Sequence, residues 1–378
     1  MVQRDWMESN GLGQGFAERP MGMQDGYPDF AKRRRAIESK LLRFFEEMGY
    51  ELVTSGVFEY VDTLLRARSN ETSRDWIQLF DGGGNAIALR PEMTPSIARM
   101  AAPRVANHRT PIKWCYCERV YRRTADPASL SWASGKAAES TQVGVEWIGD
   151  RTGVETDASV LSMLHEATMR LCISDAKIVV SHAHFVPLLL QVLGVEESAV
   201  HALLECLTNG DYVAFEQLIA REISDAEASG ASMLTALQQL SPHRQSGADP
   251  ADRASRLLCA FRPWLGEERE AAPAIAGLDA AWRTLCELAD VIDQARLSDW
   301  VTFDLTLHRD MSYYTGIVFE VFAHGVGAPI ALGGRYDELL GQFGAPAPAI
   351  GFTFEVERTM AALAAMGEDG GHGGDSGW

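Results

Sequence analysis

The sequence predicts an α+β protein: a mainly antiparallel sheet with helices packed against it, interrupted by a separate helical insertion. Two observations predict it. Strand-like segments are joined by hairpins and bulky loops without a regular β-α-β alternation, which favours antiparallel pairing. Between residues 183 and 298 the texture changes to Leu- and Ala-rich helical periodicity, broken at Gly210, Gly230, Gly247-Ala248-Asp249-Pro250 and Gly266, before strand-like sequence returns. The expected divisions are 16–182 and 299–366 for the two parts of the core, 183–298 for the insertion, and 367–378 for a disordered tail rich in Gly and acidic residues.

Asp29 is placed to cap a helix through Met48, in which Ile37, Leu41, Leu42, Phe45 and Met48 form an apolar stripe at three- and four-residue spacing. Tyr50 to Tyr60 reads as extended. Trp76–Phe80 and Ala86–Leu89 read as a β-hairpin around Asp81-Gly82-Gly83-Gly84-Asn85. That glycine run leads from strand to strand, so a hairpin turn explains it better than a dinucleotide-binding loop, which requires a helix next. Thr94 starts a short helix to Met100. Ile112–Arg122 and Thr141–Ile148 alternate as strands about a long mobile loop; a helix over 155–171 and a strand over 177–181 close the first block. After the insertion, Val301–Leu307, Tyr313–Phe322 and Ile350–Phe354 read as strands, and Glu355–Met366 as a helix.

Bulk properties narrow the function. A chain of 378 residues, 46% hydrophobic, buries a large core. It has no apolar run of membrane-spanning length, and Met1–Arg19 lacks a signal peptide's charged-then-apolar order, so a cytoplasmic protein without a membrane partner is expected. The six cysteines show no metal spacing and are expected to be buried free thiols; neither a metal nor a cofactor is implied. A net charge of −18 repels polyanions, which excludes nucleic acid as the main partner. The Lys32-Arg33-Arg34-Arg35 run is best explained as a solvated helix face.

Three polar clusters lie beside apolar strands, where burial without a partner is costly. In Arg90-Pro91-Glu92-Met93-Thr94-Pro95, Glu92 suits an ammonium group and Thr94 adds a hydrogen bond, although a helix cap explains the pair equally. The second cluster is Arg119-Val120-Tyr121-Arg122-Arg123 with Glu139, Gln142 and Glu146. Strand alternation puts Gln142 and Glu146 on one face, within reach of Arg122 across the hairpin, a floor that suits a zwitterion. A structural ion-pair network has the same appearance in sequence. The third joins Arg309-Asp310-Met311-Ser312-Tyr313-Tyr314-Thr315-Gly316, Gly333-Gly334-Arg335-Tyr336-Asp337 and Ala349-Ile350-Gly351-Phe352, followed by Glu357-Arg358. Glycine pairs admit close approach and tyrosines supply ring faces, though singly they are ordinary turn and core.

In this order, over 16–366, these motifs resemble the core of the class II histidyl-tRNA synthetases. The resemblance implies the class II aminoacyl-tRNA synthetase catalytic-core fold and a dimer. It implies that Glu92 and Thr94 hold the amino group of histidine, that Gln142 and Glu146 line the pocket, that Tyr313 and Tyr314 surround the imidazole and that Gly333 and Gly334 form the floor. Arg122, Arg309 and Arg358 match phosphate- and carboxylate-binding arginines. Departures point away from catalysis. Thr124 stands where the family carries an adenine-contacting glutamate, and Ala138-Glu139-Ser140 replaces its Arg-Glu-Phe. Ser312 replaces an acidic residue and Gly56 an interface proline. The sequence also stops soon after Glu357-Arg358, so an anticodon-binding domain is not expected.

The spellings Arg-Pro-Glu-Met-Thr-Pro, Met-Ser-Tyr-Tyr-Thr-Gly and Ala-Pro-Ala-Pro-Ala-Ile-Gly-Phe resemble one branch closely, the regulatory subunits of ATP phosphoribosyltransferase. That resemblance implies a non-catalytic protein in a hetero-oligomer, a hetero-octamer, with the short catalytic subunit, which condenses ATP with phosphoribosyl pyrophosphate. It implies histidine as ligand and feedback effector, with Arg122 and Arg358 left as a vestigial nucleotide site. The rival reading is a truncated histidyl-tRNA synthetase or a histidine-activating, adenylate-forming ligase.

Overall fold

The computed structural model describes residues 22–67, 76–123, 138–150, 153–223, 232–245, 249–261, 264, 273–309 and 311–369. Thr124, the expected loop between the two long strands, and the end of the expected tail lie outside these residues.

Helix α1 (Pro28–Glu47) opens the described chain and buries Ile37, Leu41, Phe44 and Phe45. Its N-cap is Tyr27, not Asp29: Pro28 takes the first helical position, where its missing N–H costs nothing, and Asp29 sits in the first turn, where the helix dipole favours an anion. Met48 falls beyond the helix and is exposed. The stretch after Tyr50 is not one extended segment. It divides into β1 (Glu51–Leu52) and β2 (Phe58–Tyr60), which join different sheets, followed by α2 (Val61–Ala67). Strands β3 (Gln78–Phe80) and β4 (Ala86–Leu89) form the expected hairpin, and Asp81 Oδ1 fixes its turn by accepting from the Gly83 and Asn85 amides at 2.9 and 2.8 Å. Helix α3 (Thr94–Ala106) runs one and a half turns past its expected end, because burial of Ala101 and Ala102 offsets the hydrogen bond that Pro103 cannot make.

The long strands β5 (Ile112–Tyr121) and β6 (Glu139–Ile148) pair in register from Ile112 opposite Ile148 to Tyr121 opposite Glu139. Helix α4 (Val154–Arg170) and β7 (Lys177–His182) follow. Six helices come next among the described residues: α5 (Phe185–Val192), α6 (Glu197–Asn209), α7 (Tyr212–Glu222), α8 (Met233–Gln239), α9 (Pro250–Phe261) and α10 (Pro273–Gln294). Strand β8 (Val301–Phe303) returns beside β7. It is shorter than expected, because Asp304 turns the chain by accepting from the Thr306 amide at 2.9 Å. Strand β9 (Ile317–Phe322) begins only after the paired tyrosines; β10 (Ala331–Arg335), a 3-10 turn (Leu339–Phe343), β11 (Ala349–Glu355) and α11 (Val356–Asp369) complete the chain. Helix α11 extends through Gly367–Asp369, which were expected in the tail.

The main sheet has eight strands in the order β1-β5-β6-β11-β10-β9-β7-β8, and β2-β4-β3 form a small second sheet. All neighbours in the main sheet are antiparallel except β1–β5 and β7–β8. One face packs Val143, Val145, Phe352 and Phe354 against α1 and α4. The other packs Trp114 and Tyr116 against Met93, Ile97, Tyr313 and Tyr336. Because side chains alternate between faces, the even-numbered residues of β6 are driven to this second face. That places Gln142 and Glu146 under a cover made by the start of α3 and the tyrosines.

Two expectations about cysteines divide. Cys115 and Cys286 are buried free thiols, and burial pushes both up to about 12. Cys172, in the turn after α4, and Cys259, in α9, are exposed. No helix among the described residues is long and apolar enough to cross a membrane.

Candidate functional site

A narrow cleft lies on the second face of the main sheet, over β6, β11 and β10. Eight sequence-predicted residues meet in it: Glu92, Thr94, Arg122, Gln142, Glu146, Tyr313, Tyr314 and Gly333. Arg309, Gly334 and Arg358 stand outside its lining. The space left at its centre is about 20 Å³, enough for one water-sized sphere.

Glu146 is the floor. It is 1% exposed, and its two carboxylate oxygens accept from Thr94 Oγ1 at 3.0 Å and from the Tyr336 hydroxyl. Burial pushes its pKa up to about 8; the two hydroxyl bonds oppose this, and the nearby Glu92 charge adds to it. Thr94 therefore does not cap α3: the N-cap is Met93, without a side-chain cap, and the threonine hydroxyl serves Glu146. Glu92 accepts from the Tyr313 hydroxyl at 2.8 Å, which ties the segment before β9 to the start of α3. Tyr313 and Tyr314 pack ring to ring at 4.8 Å, and Tyr313 meets Tyr336 edge-on at 6.0 Å. Two carboxyl groups flanked by hydroxyls and ring faces are chemically suited to an ammonium group.

Glycines make the room. A Cβ on Gly351 would lie 1.7 Å from Glu146 Oε2, and one on Gly333 would lie 2.3 Å from the Gly351 carbonyl, so neither strand has space for a side chain there.

The cationic end is built differently. Arg122 donates through Nε to the Pro91 carbonyl at 3.2 Å and approaches Glu355 at 3.5 Å. Gln142 donates to the same Glu355 oxygen at 2.9 Å. Arg309 is paired at 2.5 Å with Glu320 of β9, and Arg358 donates to the Pro329 carbonyl at 2.9 Å. Glu139, expected near the cleft, pairs instead with Arg119 across the hairpin. The arginine of the Arg-Pro-Glu motif is structural: fully buried Arg90 bonds to Glu118 and to the carbonyls of Ser55, Gly56 and Arg119. Arg335 likewise joins Asp157 of α4.

Sequence reasoning put Tyr336 and Met311 in the third cluster without assigning them to the pocket, and missed Tyr116, Thr353 and Glu355. Alternation along β11 was the available signal for the last two, since Gly351, Thr353 and Glu355 share a face. A wider surface groove of about 730 Å³ lies near Tyr60, Arg66 and Phe343, without the buried carboxylates that distinguish the cleft. Among the described residues no group of His, Cys, Asp and Glu is arranged to hold a metal.

The histidyl-tRNA synthetase family model matches residues 22–359. A solved histidine–tRNA ligase subunit from Alicyclobacillus acidocaldarius subsp. acidocaldarius is 57% identical, with a TM-score of 0.82 over 94% of this chain and 99% of that one. The fold is thus the class II fold of histidyl-tRNA synthetase-like proteins. A Bacillus halodurans structure described as an ATP phosphoribosyltransferase regulatory subunit/histidyl-tRNA synthetase is 29% identical, with a TM-score of 0.73 over 92% of this chain and 83% of that one. The ATP phosphoribosyltransferase regulatory subunit of Geobacillus thermodenitrificans is 33% identical over 347 residues, covering 92% of this chain and 80% of its own length. The chain belongs, within the histidyl-tRNA synthetase-like group, to the family of ATP phosphoribosyltransferase regulatory subunits.

Proposed function

We propose that the chain acts as the non-catalytic regulatory subunit of an ATP phosphoribosyltransferase, joined to a short catalytic subunit in a hetero-octamer, and that its cleft receives histidine as feedback effector. The observation that carries this reading is the match to regulatory subunits over 92% of the chain. The cleft geometry supports the histidine part. Glu92, Glu146 and Thr94 would take the amino group, Tyr313 and Tyr314 the imidazole, and Arg122 the carboxylate, with Arg309 behind it. Regulation then requires that histidine favour one state of the assembly, a coupling typically of about 1–3 kcal/mol. Co-expression with a short catalytic subunit should give a co-purifying complex whose phosphoribosyl transfer is lost without this chain; an unaffected catalytic subunit would refute the role. Histidine inhibition unchanged by both Glu92→Ala and Tyr313→Phe would remove the cleft from regulation.

Self-association is part of the same reading. Large apolar side chains lie exposed on and beside the small sheet, among them Phe80 at 77% and Tyr60 at 53%, together with Phe58 and Leu79. Of these, Phe58, Tyr60 and Leu79 share one face of the sheet, and a contiguous apolar face of this kind marks an interaction surface. We propose the dimer contact on the face shared by Phe58, Tyr60 and Leu79, and Leu79→Asp should lower the sedimenting mass of the isolated chain; an unchanged mass would move the contact elsewhere.

The rival, a histidine-activating enzyme, draws on the ligase-subunit description of the Alicyclobacillus relative. Histidine-dependent pyrophosphate exchange by the isolated chain would favour it.

A further inference from the structure

Arg122 lines one end of the cleft, and two further arginines, Arg309 and Arg358, stand behind its lining. Arg122 follows β5, Arg309 precedes β9 and Arg358 lies in the first turn of α11. They are close enough to feel one another: burial, then Arg122 and Arg309, lower the pKa of Arg358 against the pull of Glu355 and Glu320. Converging arginines are the usual protein receptor for a phosphate, because each offers a planar fork of donors and a permanent charge. In this protein a carboxylate already lies among them. Glu355 ends β11 on the face shared with Gly351 and Thr353, which line the cleft, and it is 1% exposed. One of its oxygens accepts from Gln142 at 2.9 Å and lies 3.5 Å from Arg122. Burial works against its charge, yet Arg122 and Arg358 hold its carboxyl below the usual carboxylate range. An acid so buried keeps its charge only where cations surround it.

We propose that Glu355 is a built-in anion held by Arg122 and Gln142, which bars phosphate-bearing ligands from the cleft and so sets its specificity for an amino acid over a nucleotide. A phosphate arriving here must displace the carboxylate or sit against it, and Arg309 is already engaged by Glu320. This deepens the histidine reading and rests on it only for the preferred ligand; the exclusion of phosphate is measured separately.

The test uses the full chain, inorganic pyrophosphate and ATP as probes, and calorimetric titration with thermal melting as a second readout. Wild type should bind neither at millimolar concentration. Glu355→Gln, which keeps the shape and removes the charge, should bind pyrophosphate at least about tenfold more tightly and melt higher in its presence. Adding Arg122→Gln should abolish the gain. A folded Glu355→Gln that still refuses pyrophosphate would overturn the proposal. Should that variant not fold, wild type decides: saturable pyrophosphate binding that Arg122→Gln removes would overturn it, and its absence supports it. Histidine titrated in parallel separates the two readings, since histidine binding can fail while pyrophosphate is gained, and the reverse.

Discussion

The two ends of the cleft share strands and differ in how their charges are met. At one end Glu146 is held by two hydroxyls and lies near a second carboxylate, Glu92. At the other, Arg122 and Arg309 face Glu355 and Glu320. The same fold therefore carries one end where an acid is pushed toward neutrality and another where acid and base stay charged together. The difference teaches where a ligand gains: a cation offered to the first end supplies what hydroxyls cannot, whereas a multiply charged anion offered to the second competes with the carboxylate already there far more than a single carboxylate does.

The most severe way to break this contrast is to fill the space beneath it. Gly333→Ala should cost about 3 kcal/mol or more of stability, because its Cβ would meet the backbone of β11, which has nowhere to go; urea unfolding measures it. Next, Glu92→Gln should weaken histidine binding by about 2–3 kcal/mol, roughly 30- to 150-fold, in calorimetry of the complex. A loss below threefold would mean that the acidic end does not hold the amino group.

The pH dependence sharpens the contrast. Glu146, raised to about 8 from 4.5, is mostly protonated at neutral pH, so receiving an ammonium ion there should expel a proton. Affinity should rise by up to about tenfold per pH unit from pH 6.5 and flatten near pH 8, with proton release visible as buffer-dependent heat. Stability runs the other way. A carboxyl that binds its proton more tightly when folded stabilises most below pH 4.5, and that contribution is lost as pH climbs toward 8. Glu146→Gln should flatten both dependences. The smallest effect is expected from Tyr336→Phe, which removes one hydroxyl from Glu146 and should cost about 1 kcal/mol in affinity, roughly fivefold.

Much of this was legible in sequence because period-two alternation is a strong signal in long strands. It ran β5 and β6 correctly and put Gln142 and Glu146 on one face. Strand β10 was not legible as a strand: Ala331-Leu332-Gly333-Gly334-Arg335 has no β-branched residue and two glycines, and only the close approach of β9 and β11 explains that choice. Glu355 was hidden for another reason. An acid just before a helix reads as a favourable N-terminal residue, and nothing local says that distant Arg122 and Gln142 will meet it. Tyr336 and Arg335 were read as one motif, yet they point to opposite tasks, the tyrosine to Glu146 in the cleft and the arginine to Asp157 of α4.

The bond from Tyr313 to Glu92 has a consequence for timing. It closes a gap with room for a single water, so a guest as large as histidine would have to undo the latch between the α3 start and the segment before β9. Occupancy would thereby be written into the backbone: the empty chamber is fastened, and a filled one would not be. Recognition of this kind is slower than diffusion and carries the news of the guest beyond the chamber walls.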